Sequence, residues 1–170
     1  MEIPTLDTPR LVLRELRTTD LDDYARTCAD PRVMRYLGAG KPLSRAESWR
    51  HLAFFLGHWQ LRGFGMWAVV DKATGKLIGR IGFHQPEGWP GFEIGWTIDR
   101  QCWGQGFATE GARAALRLAV GTYGQQHVIS LIHPENTASI RVAEKIGESL
   151  EGENEISGTK VLRYGVNLEE

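Results

Sequence analysis

Residues 92–123, FEIGWTIDRQCWGQGFATEGARAALRLAVGTY, decide how the rest of this chain is read. The stretch opens with strict alternation. Phe92, Ile94, Trp96 and Ile98 fall on one side, and Glu93, Gly95, Thr97 and Asp99 on the other, the period of a β-strand. It closes with Ala108, Ala112, Leu116, Ala119, Val120 and Tyr123, the stripe of an amphipathic helix. Between them lies Gln101-Cys-Trp-Gly104-Gln-Gly106. A glycine-rich turn that runs straight into a helix is a device for holding phosphate. The first helical N–H groups lack intrahelical partners, the helix dipole adds about half a positive charge, and glycine lets an anion approach the backbone. Such a loop needs no lysine, and none occurs between Arg100 and Arg113.

Two phosphate-binding patterns are excluded. A P-loop requires Gly-x4-Gly-Lys-Ser/Thr, which is absent. A dinucleotide fingerprint requires glycine at 109, where Thr109 stands, and an acidic residue about 20 positions on. Glu135 comes too late, beyond a second strand. The pattern Gln-x-x-Gly-x-Gly fits better with a pyrophosphate loop for coenzyme A. WGQGFATEGARAAL resembles the acetyl-CoA loop and helix of the GNAT superfamily of N-acyltransferases, and in particular its ribosomal-protein (Rim-type) N-acetyltransferase branch. Three more segments match in order: TPRLVLRELRTTDLDDYA, EIGWTI, and Asn136-Thr-Ala-Ser139 followed by VAEKIG. Together they span nearly the whole chain.

The resemblance implies a GNAT fold of the α/β (α+β) class. Its central sheet would be mixed and mostly antiparallel, of about seven strands with helices on both faces, in one domain over residues 1–170. It implies acetyl-CoA as co-substrate and no metal. Gln101, Gly104, Gln105, Gly106, Phe107, Ala108 and Thr109 would cradle the pyrophosphate, mainly through backbone N–H groups. Trp96, Thr97 and Ile98 inherit the strand that pairs with the pantetheine arm, and Asn136 a contact to that arm. Ser139 inherits a hydroxyl that returns a proton to the CoA sulfur. Arg100, Arg141 and Lys145 are the basic side chains nearest in sequence and are expected to supply a contact to the coenzyme's phosphates.

Composition agrees with a soluble globular protein. Hydrophobic content is 42%, charged content 24%, and net charge −1, too little for a bulk electrostatic grip on nucleic acid. No signal peptide opens the sequence and no apolar run approaches 18 residues, so the cytoplasm is expected and a membrane is not. Cys28 and Cys102 are isolated thiols without metal-site spacing. A homodimer is left open.

Along the chain, Arg10 to Leu16 reads as a strand. Thr18-Thr19 offers an N-cap to a helix carrying Leu21, Tyr24, Ala25 and Cys28, which Asp30-Pro31 ends. Ser44-Arg-Ala-Glu47 is a capping box for a helix with Trp49, Leu52, Leu56 and Trp59 on one face, stopped by Gly63 and Gly65. Trp49, Phe55 and Trp59 read as core. Strands follow over 66–70, 76–84 and 127–132. Asn136 caps a short helix through Ile146 with Gly147 after it, and two strands turn at Ser157-Gly158.

Amide formation requires a neutral amine, removal of its proton, and reprotonation of a thiolate. Glu93 is the first candidate for the base, because a carboxylate in a central strand is costly to bury without a purpose. The bland alternative is an open strand face or an arginine partner. His84 is the other candidate, although a strand-end histidine is more often structural. Trp89, in the Gly-Pro loop, is placed to wall the acceptor pocket. For the acid, Ser139 stands first and Tyr164 second, since a tyrosine frequent in relatives is replaced by the Val142-Ala143 region. An α-amine of pKa near 8 loses about 1.4 kcal/mol to protonation at pH 7, against about 4.6 for a lysine-like amine, so a weak base suits a protein N-terminal α-amine and is strained by a lysine, while the resembling branch also contains acetylators of antibiotics, polyamines and other small amines. The leading reading is therefore direct acetyl transfer to a primary amine in a ternary complex. A non-catalytic acyl-CoA sensor is the alternative from another class, and a nucleotide-binding protein a third. Fold alone does not choose the acceptor.

Overall fold

The computed structural model describes residues 2–169. In chain order it contains β1 (Leu6–Asp7), β2 (Leu11–Arg14), α1 (Leu21–Cys28), α2 (Pro31–Met34), α3 (Arg45–Arg62), β3 (Met66–Asp71), β4 (Leu77–His84) and β5 (Glu93–Ile98). Then come α4 (Phe107–Gly121), β6 (His127–Ile132), α5 (Thr137–Lys145), β7 (Ser149–Ile156) and β8 (Thr159–Asn167). The strands form one sheet of eight, ordered β1-β2-β3-β4-β5-β6-β8-β7. That is one strand more than expected, because Leu6–Asp7 is too short to show a period. Only β5 and β6 pair in parallel.

One face of the sheet carries Leu13, Trp67, Val69, Ile81, Phe83 and Ile94, packed under Phe107, Ala112, Ala115 and Ala119 of α4. The other carries Met66 and Ala68 under Tyr24, Cys28, Leu52 and Phe55 of α1 and α3. The helical stripes therefore lie on the two faces of the sheet, as in a GNAT fold.

Local chemistry corrects several expectations. Thr18 and Thr19 do not cap α1. They form a 3-10 turn, and the Asp20 carboxylate accepts from the Arg17 N–H while Arg14 holds it at 2.8 Å. Pro31 does more than end α1. Asp30 accepts from the Arg32 N–H and Pro31 takes the first position of α2, where its missing N–H costs nothing. The Ser44–Glu47 capping box forms in both directions, at 3.1 and 2.7 Å. Trp49, however, is 54% exposed. The buried residues of α3 are Ser48, Leu52, Phe55, His58 and Trp59, so the inward face is turned one residue from the stripe read by hydrophobicity.

Candidate active site

β5 pairs with β4 along its whole length but with β6 only at Glu93, opposite Ile129. Beyond that pair the strands part, and the edge of β5 from Gly95 to Ile98 has no ladder partner on the β6 side. Unpaired strand backbone is a template for an extended amide-bearing chain. The edge leads to a 3-10 turn at 100–102 and then to the glycine loop. Gly104 and Gly106 both sit in the left-handed region, at φ 73° and 81°. A side chain at 106 would be strained there, which the sequence alone left undecided between strain and obstruction. The N–H groups of Phe107, Ala108 and Thr109 have no hydrogen-bond partner among the described residues, and Glu110 is the first satisfied, by the Gly106 carbonyl at 3.0 Å. A free strand edge feeding a cluster of free amides fits a pantetheine arm ending in a pyrophosphate.

Arg10 fixes this loop and was missed from the sequence. Its Nη1 donates to the Gln105 carbonyl at 2.8 Å, its Nε to Glu110 at 2.6 Å, and its guanidinium lies 4.3 Å from the Phe107 ring centroid. Nothing local marks it, because its partners lie about a hundred residues away in sequence.

On the far side of the gap, Asn136 accepts from the Ser139 N–H at 3.3 Å and caps α5. The Trp96 indole N–H crosses the gap and donates to Ser139 Oγ at 3.2 Å. Ser139 thus accepts with one lone pair and keeps its proton to give. Tyr164 is buried with Ile132 and Ala143 beside Trp96. Arg100 is tied to Asp30 at 2.7 Å, and with Arg26 and Arg32 it lines a shallow cavity of about 470 Å³. Arg141 and Lys145 are exposed on α5 without ion pairs among the described residues, and the Lys145 carbonyl accepts from Arg113 at 2.7 Å.

Glu93 stands at the fork itself. Its Oε2 accepts from the Trp89 indole at 2.7 Å and its Oε1 from the Leu131 N–H at 3.3 Å. Desolvation raises its pKa to about 7, against the pull of those two bonds and of Arg80. A carboxyl raised towards neutrality lies in the range where a general base works best. Trp89 therefore orients this carboxyl. His84 is the cross-strand partner of Glu93. Its pKa is pushed down to about 3 by burial and then by Arg80, and its Nδ1 is buried without a partner. It stacks on His58 at 5.5 Å and meets Trp89 edge-on at 4.8 Å. That leaves it neutral and weakly basic, a poor rival to Glu93.

A second carboxyl escaped sequence reading. Gly147, at φ 98°, ends α5 in a Schellman turn, with the Glu148 N–H donating to the Ala143 carbonyl at 3.0 Å. An apolar residue usually follows such a glycine. Here it is Glu148, 4% exposed. Ser130 Oγ lies 2.8 Å from the Ile94 carbonyl and 3.0 Å from Glu148 Oε1. One hydroxyl proton cannot serve both oxygens. The carbonyl can only accept, so the second bond needs a proton on Glu148. Burial raises its pKa to about 8, in keeping with a neutral acid. The folded state then holds a proton that the unfolded chain, near 4.5, has released. Stability contributed by this group is full below about pH 4.5 and is lost as pH rises to about 8. Glu148→Gln should match the parent near pH 4.5 and exceed it progressively above, by up to about 1.4 kcal/mol per pH unit. Parallel curves of melting temperature against pH for the two proteins would show that Glu148 is ionised in the fold.

The acetyltransferase (GNAT) domain family matches residues 10–148. The chain belongs to the GNAT acetyltransferase family. The acetyltransferase is 28% identical over 150 residues to the uncharacterized N-acetyltransferase p20 of Bacillus licheniformis, across 87% of this chain and 84% of that one. It superposes on the crystal structure of an acetyltransferase from Agrobacterium tumefaciens with a TM-score of 0.86 at 32% identity, covering 98% and 96% of the two chains. A ribosomal L7/L12 α-N-protein acetyltransferase solved with coenzyme A shares the fold at a TM-score of 0.81, with 18% identity over 97% and 98% of the chains. The protein is an N-acetyltransferase, and its family implies acetyl-CoA as co-substrate.

Proposed function

We propose that this N-acetyltransferase moves the acetyl group of acetyl-CoA directly to a primary amine, in a ternary complex. The observation that carries the reading is the fork. A free β5 edge runs from the glycine loop to the buried Glu93 carboxyl at the last β5–β6 pair, its pKa raised by desolvation. Acetyl-CoA supplies an activated thioester. The chain's residues do the rest: the amides of 107–109 hold the pyrophosphate, the β5 edge orients the arm, Glu93 takes the amine proton, and Ser139 offers one to the sulfur. Burial raises the thiol pKa of both Cys28 and Cys102, so neither is an activated nucleophile, which favours direct transfer over a covalent intermediate. The acceptor is a protein N-terminus or a small-molecule amine, as the Rim-type resemblance implies, and the place of action is the cytoplasm.

Thiol release should be measured with acetyl-CoA and a panel of N-terminal peptides, amino acids, polyamines and aminoglycosides. Release with at least one class supports the reading. Tight acetyl-CoA binding without release above hydrolysis in any class makes the protein an acyl-CoA sensor instead.

A further inference from the structure

The register of β4 and β5 stacks three residue pairs on the face beneath α1 and α3: Arg80 opposite Thr97, Gly82 opposite Gly95, and His84 opposite Glu93. Arg80 therefore shares the face of the proposed base, four residues or about 13 Å along the strand, a gap that an arginine side chain spans in good part. Met66 fills the step between them. Its Sδ lies 3.7 Å from Arg80 Nη1, and its Cε is the atom closest to where a Gly95 side chain would stand.

Arg80 Nε donates to Tyr24 Oη at 3.2 Å, and its guanidinium lies 4.7 Å from the Phe55 ring centroid. Neither Nη donates to an oxygen among the described residues. Three arginines of this protein are partly withdrawn from solvent: Arg14, Arg80 and Arg163. Arg14 holds Asp20 at 2.8 Å and Arg163 holds Glu151 at 3.5 Å. Arg80 has no carboxylate within 4.0 Å among the described residues. A guanidinium stays charged at any physiological pH, and withdrawing it from water without a counter-charge is costly. Its surroundings do not bring one. His51 and His84 are kept neutral, chiefly by burial and then by Arg80 itself. Glu93 carries only part of its charge at neutral pH. The planar fork with free Nη donors matches a carboxylate in shape and sign.

We propose that Arg80 receives a carboxylate carried by the amine acceptor. The assignment rests on the transferase reading and narrows its acceptor class to amines bearing an acid, at the expense of polyamines and aminoglycosides. The carboxylate could belong to a free amino acid or to an acidic residue near a peptide N-terminus, and matched pairs separate the two. One arm compares amino acids with their amides. The other compares peptides carrying Asp or Glu at the first two positions with the same peptides carrying Asn or Gln. In one arm, kcat/KM for the acid should exceed that for its neutral partner by about tenfold or more, the size of one charge-assisted contact. Arg80→Gln should bring that ratio towards one while acetyl-CoA affinity holds, and Arg80→Lys should keep part of it.

Equal use of acid and neutral partners by the parent in both arms overturns the assignment, and so does an undiminished ratio in Arg80→Gln. If Arg80→Gln does not fold, the parent's ratios and Arg80→Lys still decide. Absence of thiol release with every amine overturns the transferase reading itself, whereas efficient turnover without acid preference overturns only the role of Arg80.

Discussion

Glu93→Gln is expected to lower turnover at pH 7 by about two orders of magnitude, the usual contribution of a general base, with acetyl-CoA affinity near that of the parent. The parent's kcat/KM should climb as pH rises through about 7, where Glu93 ionises. The variant should lack that limb, so its deficit should widen as pH rises through about 7 and narrow only well above it, as solvent supplies more free amine. The substitution is less innocent than its shape implies. Both carboxylate oxygens accept, from Trp89 and from Leu131, and a glutamine turns an N–H toward one of them. The lost hydrogen bond is opposed by relief of the carboxylate's desolvation, so the stability change should be smaller than the kinetic one. Ser139→Ala should cost about tenfold or less, because a thiolate of pKa near 8.5 needs little help at neutral pH. Full activity in Glu93→Gln with its true acceptor would assign deprotonation to water. An equal deficit at every pH would make Glu93 an orienting group.

Gly106→Val should weaken coenzyme A binding by about tenfold or more, 1.4 kcal/mol, with the fold intact. At φ 81° a β-branched residue is strained by at least about 1–2 kcal/mol, and the loop relieves that strain by leaving its conformation. Gly106 is exposed, so the relaxation disturbs little core. It does disturb the amides that follow, and the Gln105 carbonyl that Arg10 grips. Isothermal titration with coenzyme A, beside a circular dichroism melt, checks both halves. Unchanged affinity in a folded variant would detach the loop from phosphate binding.

The strand, loop and helix over 92–123 were legible because period, glycine and capping all operate within a few residues. The same holds for the Ser44 box, the Asn136 cap and the hairpin at Ser157-Gly158, whose φ of 49° and 79° suit its tight turn. What stayed hidden is what long-range register creates. His84 faces Glu93 only because β4 and β5 align as they do, and that alignment places Arg80 on the same face. Glu148 reads as a surface charge until Ser130 is brought beneath it. Trp49 reads as core by composition, yet the capping box and Gly63 set the ends of α3, and tertiary packing sets its rotation. Glu93 stands out in the sequence because a carboxylate in an apolar strand is anomalous in one dimension as well as in three.

Two half-sheets, β1–β5 and β6–β8, meet in this protein along a perforated line. Within each half the strands are knitted by long ladders, broken only by irregularities at Val69/Val70 and Leu150/Gly152 among the described residues. In the plane of the sheet the halves are joined by one residue pair, the Ser130 hydroxyl and the Glu93 carboxyl. Such a seam tears before either fabric does. Two of its stitches involve carboxyls whose pKa burial raises towards neutrality, Glu93 directly and Glu148 through Ser130. A molecule lying along the bare margin of β5 and touching α5 would sew the halves together, so the stiffness of the sheet would report whether that margin is occupied.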